Sequence, residues 1–399
     1  MILESDNFSW DGSIAKLPNS HILQTFEWAL VKSHFGWNPI PKLWMQNNQI
    51  VAAAMILIRE IKIPVIGIPY RILYVPKGPL IKDWSDSNLV QEVLQELIEI
   101  GRKQNAILIK IDPDLEIGGG EADDDLNQFG FNKNSNNIEI NSLNSEFIKL
   151  LLNHNWVYSR EQVQFRNTVI SDLNLDEAEI LSSMKQKTRY NIRLAEKRGI
   201  VVREGNDRDF PMLYRLYAET AQRDGFIIRE YPYYEMVWKI FLQGPELEKQ
   251  MGFSNNFPNY WRFDLANHPK AMILIAEYQN EPIAGIVLLT FQDKAWFMYG
   301  MSSCQHREKM PNYLLHWRAM QLLKERGIKV YDWWGAPDKF TEVDPMYGVY
   351  KFKMGFGGKA IRRIGAWDYP IKRNYYSFYQ IMLPKLLSYF RLKERIGTS

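Results

Sequence analysis

Ile50-Val-Ala-Ala-Ala-Met-Ile-Leu57 and Pro282-Ile-Ala-Gly-Ile-Val-Leu-Leu289 decide the fold, because they read as two copies of one strand. After each comes a turn and a second strand, Arg71–Pro76 in one copy and Lys294–Tyr299 in the other. Each copy continues through a loop into an amphipathic helix, Leu89–Lys103 and Tyr313–Arg326. A strand closes each unit, Ala106–Asp112 and Ile328–Trp333, and both run on into Pro-Asp, at 113–114 and 337–338. Two strand-strand-helix-strand units at similar spacing predict a duplicated α/β architecture.

Bulk properties agree with two folded domains. At 399 residues the chain is too long for one small core. The net charge of +3 excludes a bulk polycation while leaving room for a local basic groove. Cys304 is the single cysteine, so neither an intrachain disulfide nor a thiolate zinc site can form. The six histidines show no metal-binding spacing, so no metal is expected. Met1-Ile-Leu-Glu-Ser-Asp6 has neither a basic start nor an apolar core, so it does not read as a signal peptide. The longest apolar run, Val51–Ile58, is too short for a membrane span. A cytoplasmic location is expected.

The order of elements in each copy is the core order of the Gcn5-related acyltransferase (GNAT) fold, which places acyl chemistry where central strands splay apart. Coenzyme A enzymes of that fold hold the pyrophosphate on a glycine-rich turn at a helix N-terminus. The equivalent stretches here are Lys77-Gly-Pro-Leu-Ile-Lys82 and Gln305-His-Arg-Glu-Lys-Met-Pro-Asn312. Neither has the Arg-x-x-Gly-x-Gly pattern, and Pro311 lacks an amide donor. Ordinary coenzyme A binding is not expected, and no cofactor is called for.

Three further segments carry chemistry. Gly348-Val-Tyr-Lys-Phe-Lys-Met-Gly-Phe-Gly-Gly358 reads as a strand-like run in which Lys351 and Lys353 share one face beside Phe352, before a glycine-rich turn. A cation held beside an aromatic there suits an oxyanion or a phosphate. Leu181–Ile200 reads as one helix, capped by Ser182 or Ser183 and ended by Gly199. It sets Lys185, Lys187, Arg189, Arg193, Lys197 and Arg198 against the single acid Glu196, with Tyr190 interleaved, a pattern suited to a nucleic-acid backbone. At the C-terminus, Lys372–Pro384 and Lys385–Arg395 mix aromatic, leucine and basic residues. They read as a helix packing on the first domain, with peripheral contact at the inner face of the membrane as the alternative.

Taken in order along the chain, these landmarks resemble the Fem family of tRNA-dependent aminoacyltransferases that build peptidoglycan interpeptide bridges. The resemblance rests on Gln24-Thr-Phe-Glu-Trp-Ala-Leu-Val-Lys32, Ser183–Arg193, Tyr331-Asp-Trp-Trp-Gly335 and the 348–358 segment. It implies two tandem GNAT-like domains. The division expected is 1–165, completed by 363–399, and 166–362, which carries the Phe-Lys segment and the basic helix. Tyr214–Ala271 holds Pro232, Pro245 and Pro258 with no sustained heptads, so the chain resembles the armless members, which lack a coiled-coil arm.

The resemblance implies transfer of an amino acid from aminoacyl-tRNA to an amine of a UDP-linked or lipid-linked muropeptide precursor. Lys353 matches the family's lysine at the reacting centre, where it follows the oxyanion or the terminal adenosine's oxygens, and Phe352 stacks on the terminal base or walls off water. Asp112 matches an acidic position and reads either as a base or orienting group for the amine or as an Asp-Pro turn residue. Lys32, Arg229, Tyr233 and Tyr299 match positions contacting the precursor's diphosphate and sugar, Arg229 by its phosphate-matching fork. The six cations of 185–198 are the tRNA-binding candidates. Two rivals share the scaffold: an acyltransferase using another donor on a polysaccharide or small amine, and a non-catalytic tRNA- or envelope-binding module.

Overall fold

The computed structural model describes residues 9–62, 69–119, 139–140, 142–244, 247, 266–377 and 379–380. Its strands are β1 (Asn38–Gln46), β2 (Gln49–Lys62), β3 (Pro69–Val75), β4 (Leu80–Ile81), β5 (Ala106–Ile111), β6 (Glu116–Gly119), β7 (Glu139–Ile140) and β8 (Val157–Tyr158). They continue as β9 (Thr168–Asp172), β10 (Ile200–Glu204), β11 (Lys270–Tyr278), β12 (Glu281–Phe291), β13 (Lys294–Ser302), β14 (Val330–Asp332), β15 (Lys359–Arg363) and β16 (Trp367–Pro370). The helices are α1 (Trp10–Ile14), α2 (Phe26–His34), α3 (Ser87–Lys103), α4 (Ser142–Asn153), α5 (Glu177–Ser183) and α6 (Gln186–Lys197). After them come α7 (Phe210–Asp224), α8 (Tyr231–Gln243), α9 (Pro311–Glu325) and α10 (Tyr347–Met354).

The chain forms two compact α/β units. The smaller comprises 32–113, 143–164 and 365–399, and the larger 1–31, 114–142 and 165–364. This differs from a division at residue 165, because residues 1–31 and 114–142 belong to the larger unit. Asp114 shows why: directly after Pro113 its carboxylate meets Arg363 at 2.8 Å, and β6 pairs antiparallel with β15. In the smaller unit β16 pairs antiparallel with β5 and β8.

Each unit holds one sheet built around the expected repeat. In the smaller sheet the order is β1-β2-β3-β5-β16-β8, with β4 on β2, and only β3 and β5 run parallel. In the larger the order is β10-β11-β12-β13-β14-β9-β15-β6-β7, and only β13 and β14 run parallel. The connections are helical, as a parallel pair requires. Asp86 caps α3 by accepting from the amides of Asn88 and Leu89, and Leu89, Val90, Val93, Leu94, Leu97 and Ile98 form its buried face. Pro311 begins α9, where a missing amide costs nothing.

The parallel pair of the larger sheet is short. Lys294, Ala295 and Trp296 register with Val330, Tyr331 and Asp332. Beyond Asp332 the chain turns away through Trp334 (φ 49°) and Gly335 (φ 91°), while β13 runs on to Ser302. The strands therefore splay at this end, and the gap is filled by packed rings from His316, Phe297, Trp333, Phe352 and Phe356.

Two sequence expectations are corrected. Residues 347–354 form a helix, not a strand, so Lys351 and Lys353 lie about 200° apart around its axis. The basic segment is two helices broken at Met184, and Ser183 ends α5 instead of capping α6, whose N-cap Lys185 makes no side-chain capping bond. Gly199 (φ 80°) does terminate α6, as read. Over Phe210–Ala271 the helices α7 and α8 span 15 and 13 residues, with no coiled-coil arm among the described residues. The C-terminal stretch 385–395 lies outside the described residues.

Candidate active site

Helical geometry separates the two lysines of the 348–358 segment. Lys351 is exposed, pairs with Glu342 at 3.2 Å and lies over the Tyr347 ring. Lys353 turns inward and is only 2% exposed. Its ammonium donates to the carbonyl oxygens of Trp334 at 2.9 Å and Gly335 at 2.6 Å. Burial brings its pKa down to about 7, against the opposing pull of Asp332. Phe352 is half-buried and packs edge-on to Tyr313 and His316, so it walls the lysine's surroundings and belongs to the core.

The carbonyls that hold Lys353 are themselves fixed by a charged cluster that sequence reading missed. Asp332, 1% exposed, accepts from the Trp334 amide at 3.0 Å and from Thr168 Oγ1 at 2.5 Å. Its other oxygen meets Lys294 at 3.0 Å and Arg363 at 3.6 Å. Burial pushes this carboxyl upward, but Lys294 and Arg363 outweigh it and hold it below the usual carboxylate range. Asp114 completes the cluster against Arg363 and, at 3.7 Å, Lys294.

His316 lies beside this lysine. Its Nδ1 is 2.7 Å from the Tyr331 hydroxyl, and burial, with Lys353 nearby, lowers its pKa to about 3. It is therefore a neutral imidazole that leaves Lys353 as the local cation.

Asp112 sits in the smaller unit, 1% exposed. It accepts from the Tyr74 hydroxyl at 3.1 Å and pairs with the equally buried Lys77 at 3.5 Å. That is the geometry of a structural ion pair, and it resembles the turn reading more than that of a base open to substrate. Lys32 is half-buried in the last turn of α2, where the smaller unit begins.

Arg229, Tyr233 and Tyr299 come together in the larger unit. The Arg229 guanidinium stacks 4.6 Å above the Tyr233 ring. Tyr234 joins the group, its ring 5.4 Å from Tyr233 and 5.6 Å from Tyr299. Two hydroxyls clamp the Arg229 backbone: its amide donates to Tyr234 and its carbonyl accepts from Tyr214, each at 3.1 Å. Burial raises the Tyr233 phenol to about 12 and Tyr299 well above its ordinary value, so both stay neutral donors at physiological pH. The exposed guanidinium on a rigid aromatic floor is suited to an anionic ligand.

The six basic residues of 185–198 divide into two sets. Lys185, Lys187, Arg193 and Lys197 are exposed and form no ion pair among the described residues. Arg189 folds back onto the carbonyls of Ser182 and Met184, and Arg198 donates to the carbonyl of Glu308. Tyr190 stands 61% exposed among the free lysines.

Comparison with known proteins identifies the class. The model of the FemAB family matches residues 7–248 and 266–383, and the chain belongs to that family. Similar relatives include the lipid II:glycine glycyltransferase of Staphylococcus epidermidis, 26% identical over 424 residues covering 95% of each chain. The lipid II:glycine glycyltransferase of Staphylococcus aureus is 25% identical over 426 residues, again across 95% of each. Among solved structures, FemX superimposes with a TM-score of 0.72 at 20% identity, covering 95% of this chain and 98% of that one. That likeness concerns the fold, and it agrees with the two acyltransferase-like units.

Proposed function

We propose that this protein transfers an aminoacyl group from the 3′-terminal ester of an aminoacyl-tRNA to an amine of a lipid-linked peptidoglycan precursor. The observation that carries the reading is the end-to-end likeness to relatives named as lipid II:glycine glycyltransferases. In this reaction the amine nitrogen attacks the ester carbonyl, forming a tetrahedral oxyanion. Collapse expels the tRNA hydroxyl, which takes the proton lost by the nitrogen. An ester is already activated, so the protein's task is to orient two reactants and stabilise the oxyanion.

Lys353 has the properties this asks for. An ammonium has three N–H donors, and two are used on the carbonyls of Trp334 and Gly335. Those bonds fix the direction of the third, which is the donor for the oxyanion. Arg229, Tyr233 and Tyr299 take the precursor's diphosphate and sugar, and the free cations of α6 take the tRNA backbone.

The test is transfer of a labelled amino acid from a panel of charged tRNAs to purified lipid-linked precursor. Wild-type protein forms the amide, and Lys353→Met lowers the rate by about 100- to 1000-fold, the usual loss for one oxyanion donor. Transfer from acyl-CoA in place of charged tRNA, or none from any charged tRNA, overturns the reading.

A further inference from the structure

We infer that the segment joining α7 to α8, Phe226-Ile227-Ile228, is a lipid-contacting wedge that seats the protein on the bilayer carrying its acceptor. The inference rests on the lipid-linked reading above and adds to it the surface by which the protein meets that lipid. Phe226 is 40% and Ile227 68% exposed, and they are the only sequence neighbours among the large exposed hydrophobics of the described residues. Scattered exposed apolar side chains are ordinary, whereas an adjacent pair on one loop needs an explanation.

The pair is held out; it has not simply frayed. Gly225 (φ 75°) ends α7 in the left-handed conformation, and the amides of Gly225 and Phe226 both donate to the Ala221 carbonyl, at 2.9 and 3.1 Å. The Phe226 ring leans on Tyr217 at 5.7 Å. Three residues on, Arg229 is clamped through its own amide and carbonyl by Tyr234 and Tyr214. A loop fixed at both ends therefore presents Ile227 to solvent.

Its position supplies the occupant. Arg229, the candidate for the acceptor's diphosphate, is two residues from Ile227. In a lipid-linked acceptor the diphosphate sits at the headgroup level, directly above hydrocarbon. A phosphate-binding arginine beside an exposed isoleucine matches that succession of charge and oil. The flanking charges cancel, Arg223 and Arg229 against Asp224 and Glu230, so attraction to the lipid is apolar and not electrostatic.

The experiment measures co-sedimentation of the full chain with phosphatidylcholine vesicles, with and without phosphatidylglycerol. Ile227→Ser is expected to lower partitioning about tenfold, the scale of losing one buried isoleucine, and Ile227→Trp to raise it. Both effects should be the same at either lipid composition. In parallel, Ile227→Ser should slow transfer to precursor embedded in vesicles while leaving transfer to a water-soluble nucleotide-linked precursor intact. Partitioning that is unchanged by Ile227→Ser, or that requires phosphatidylglycerol, overturns the wedge. If wild-type protein transfers to neither acceptor, the enzymatic reading falls, and the sedimentation result still decides the wedge.

Discussion

The Trp334 amide donates to the Asp332 carboxylate at 3.0 Å, and this bond holds a tryptophan in the left-handed region (φ 49°). Bulky residues rarely adopt that conformation, so something must impose it. The consequence is functional, because the Trp334 carbonyl so placed receives Lys353. Asp332→Asn keeps an oxygen for the Trp334 amide but removes the charge facing Lys294 and Arg363. Breaking a buried pair from one side costs about 3–5 kcal/mol, and denaturant titration at neutral pH should show a loss of that order. Because the folded pKa is depressed, the ionised form's stabilisation is complete above about pH 4 and fades as pH falls through the folded value. The difference between wild type and variant should therefore shrink in acid. A difference that stays constant would show that charge is not what Asp332 contributes.

Lys353 makes stability depend on pH in the opposite range. Its folded pKa is about 7, against roughly 10.4 when unfolded. Between those values the unfolded chain binds a proton that the folded chain lacks, so stability rises with pH across the window. Below pH 7 both states are charged and the slope vanishes. Lys353→Met should flatten this rise between pH 7 and 9, measured as the wild-type minus variant difference in unfolding free energy. The same ionisation bears on catalysis: an ammonium serving an oxyanion is lost above pH 7, so kcat/KM should fall on a limb centred there. A limb that survives in Lys353→Arg at the same pH would assign it to another group.

His316 supplies an acid-side counterpart. Folded, its imidazole protonates only near pH 3, whereas an unfolded histidine does so near pH 6.5. Through that interval the unfolded state holds the extra proton, and stability falls as pH falls. His316→Phe should fit among Phe297, Trp333 and Phe352 and remove that part of the acid slope. It also strands the Tyr331 hydroxyl, at a cost of about 1 kcal/mol near neutrality. Equal acid slopes in wild type and variant would contradict the buried neutral histidine.

The duplicated strands and helices were legible because each copy carries a strong pattern. The apolar faces of Leu89–Lys103 and Tyr313–Arg326 are helical, and Ile50–Leu57 and Pro282–Leu289 are short apolar runs of the length that buried strands have. The 348–358 segment misled because Val349, Tyr350 and Phe352 favour strands and its glycines suggest a turn. Packing of Tyr350 and Lys353 on one side of a helix overrides that preference. The Asp332 cluster was hidden for another reason: it joins residues 114, 294, 332 and 363, and no local pattern announces that assembly. Asp114 in particular follows the smaller unit's β5 without a break and yet belongs to the larger unit.

The division among the basic residues of 185–198 yields a prediction with an internal control. Lys187, Arg193 and Lys197 point to solvent without ion-pair partners among the described residues, so reversing them to glutamate should leave the fold intact. If they follow the tRNA backbone, the triple variant binds charged tRNA more weakly. Its log affinity should also fall less steeply with log salt, by about 0.7 to 0.9 for each lost phosphate contact. Tyr190→Ala tests a stacked base separately, with about 1–3 kcal/mol expected from such a contact and no change in salt slope. Arg189 and Arg198 provide the contrast, since both are spent on backbone carbonyls. Alanine there should lower the melting temperature and leave the salt slope unchanged. Filter binding across a salt series reads the affinities and slopes, and thermal melting reads the stability of the Arg189 and Arg198 variants. An undiminished slope in the folded triple variant would remove α6 from the tRNA path.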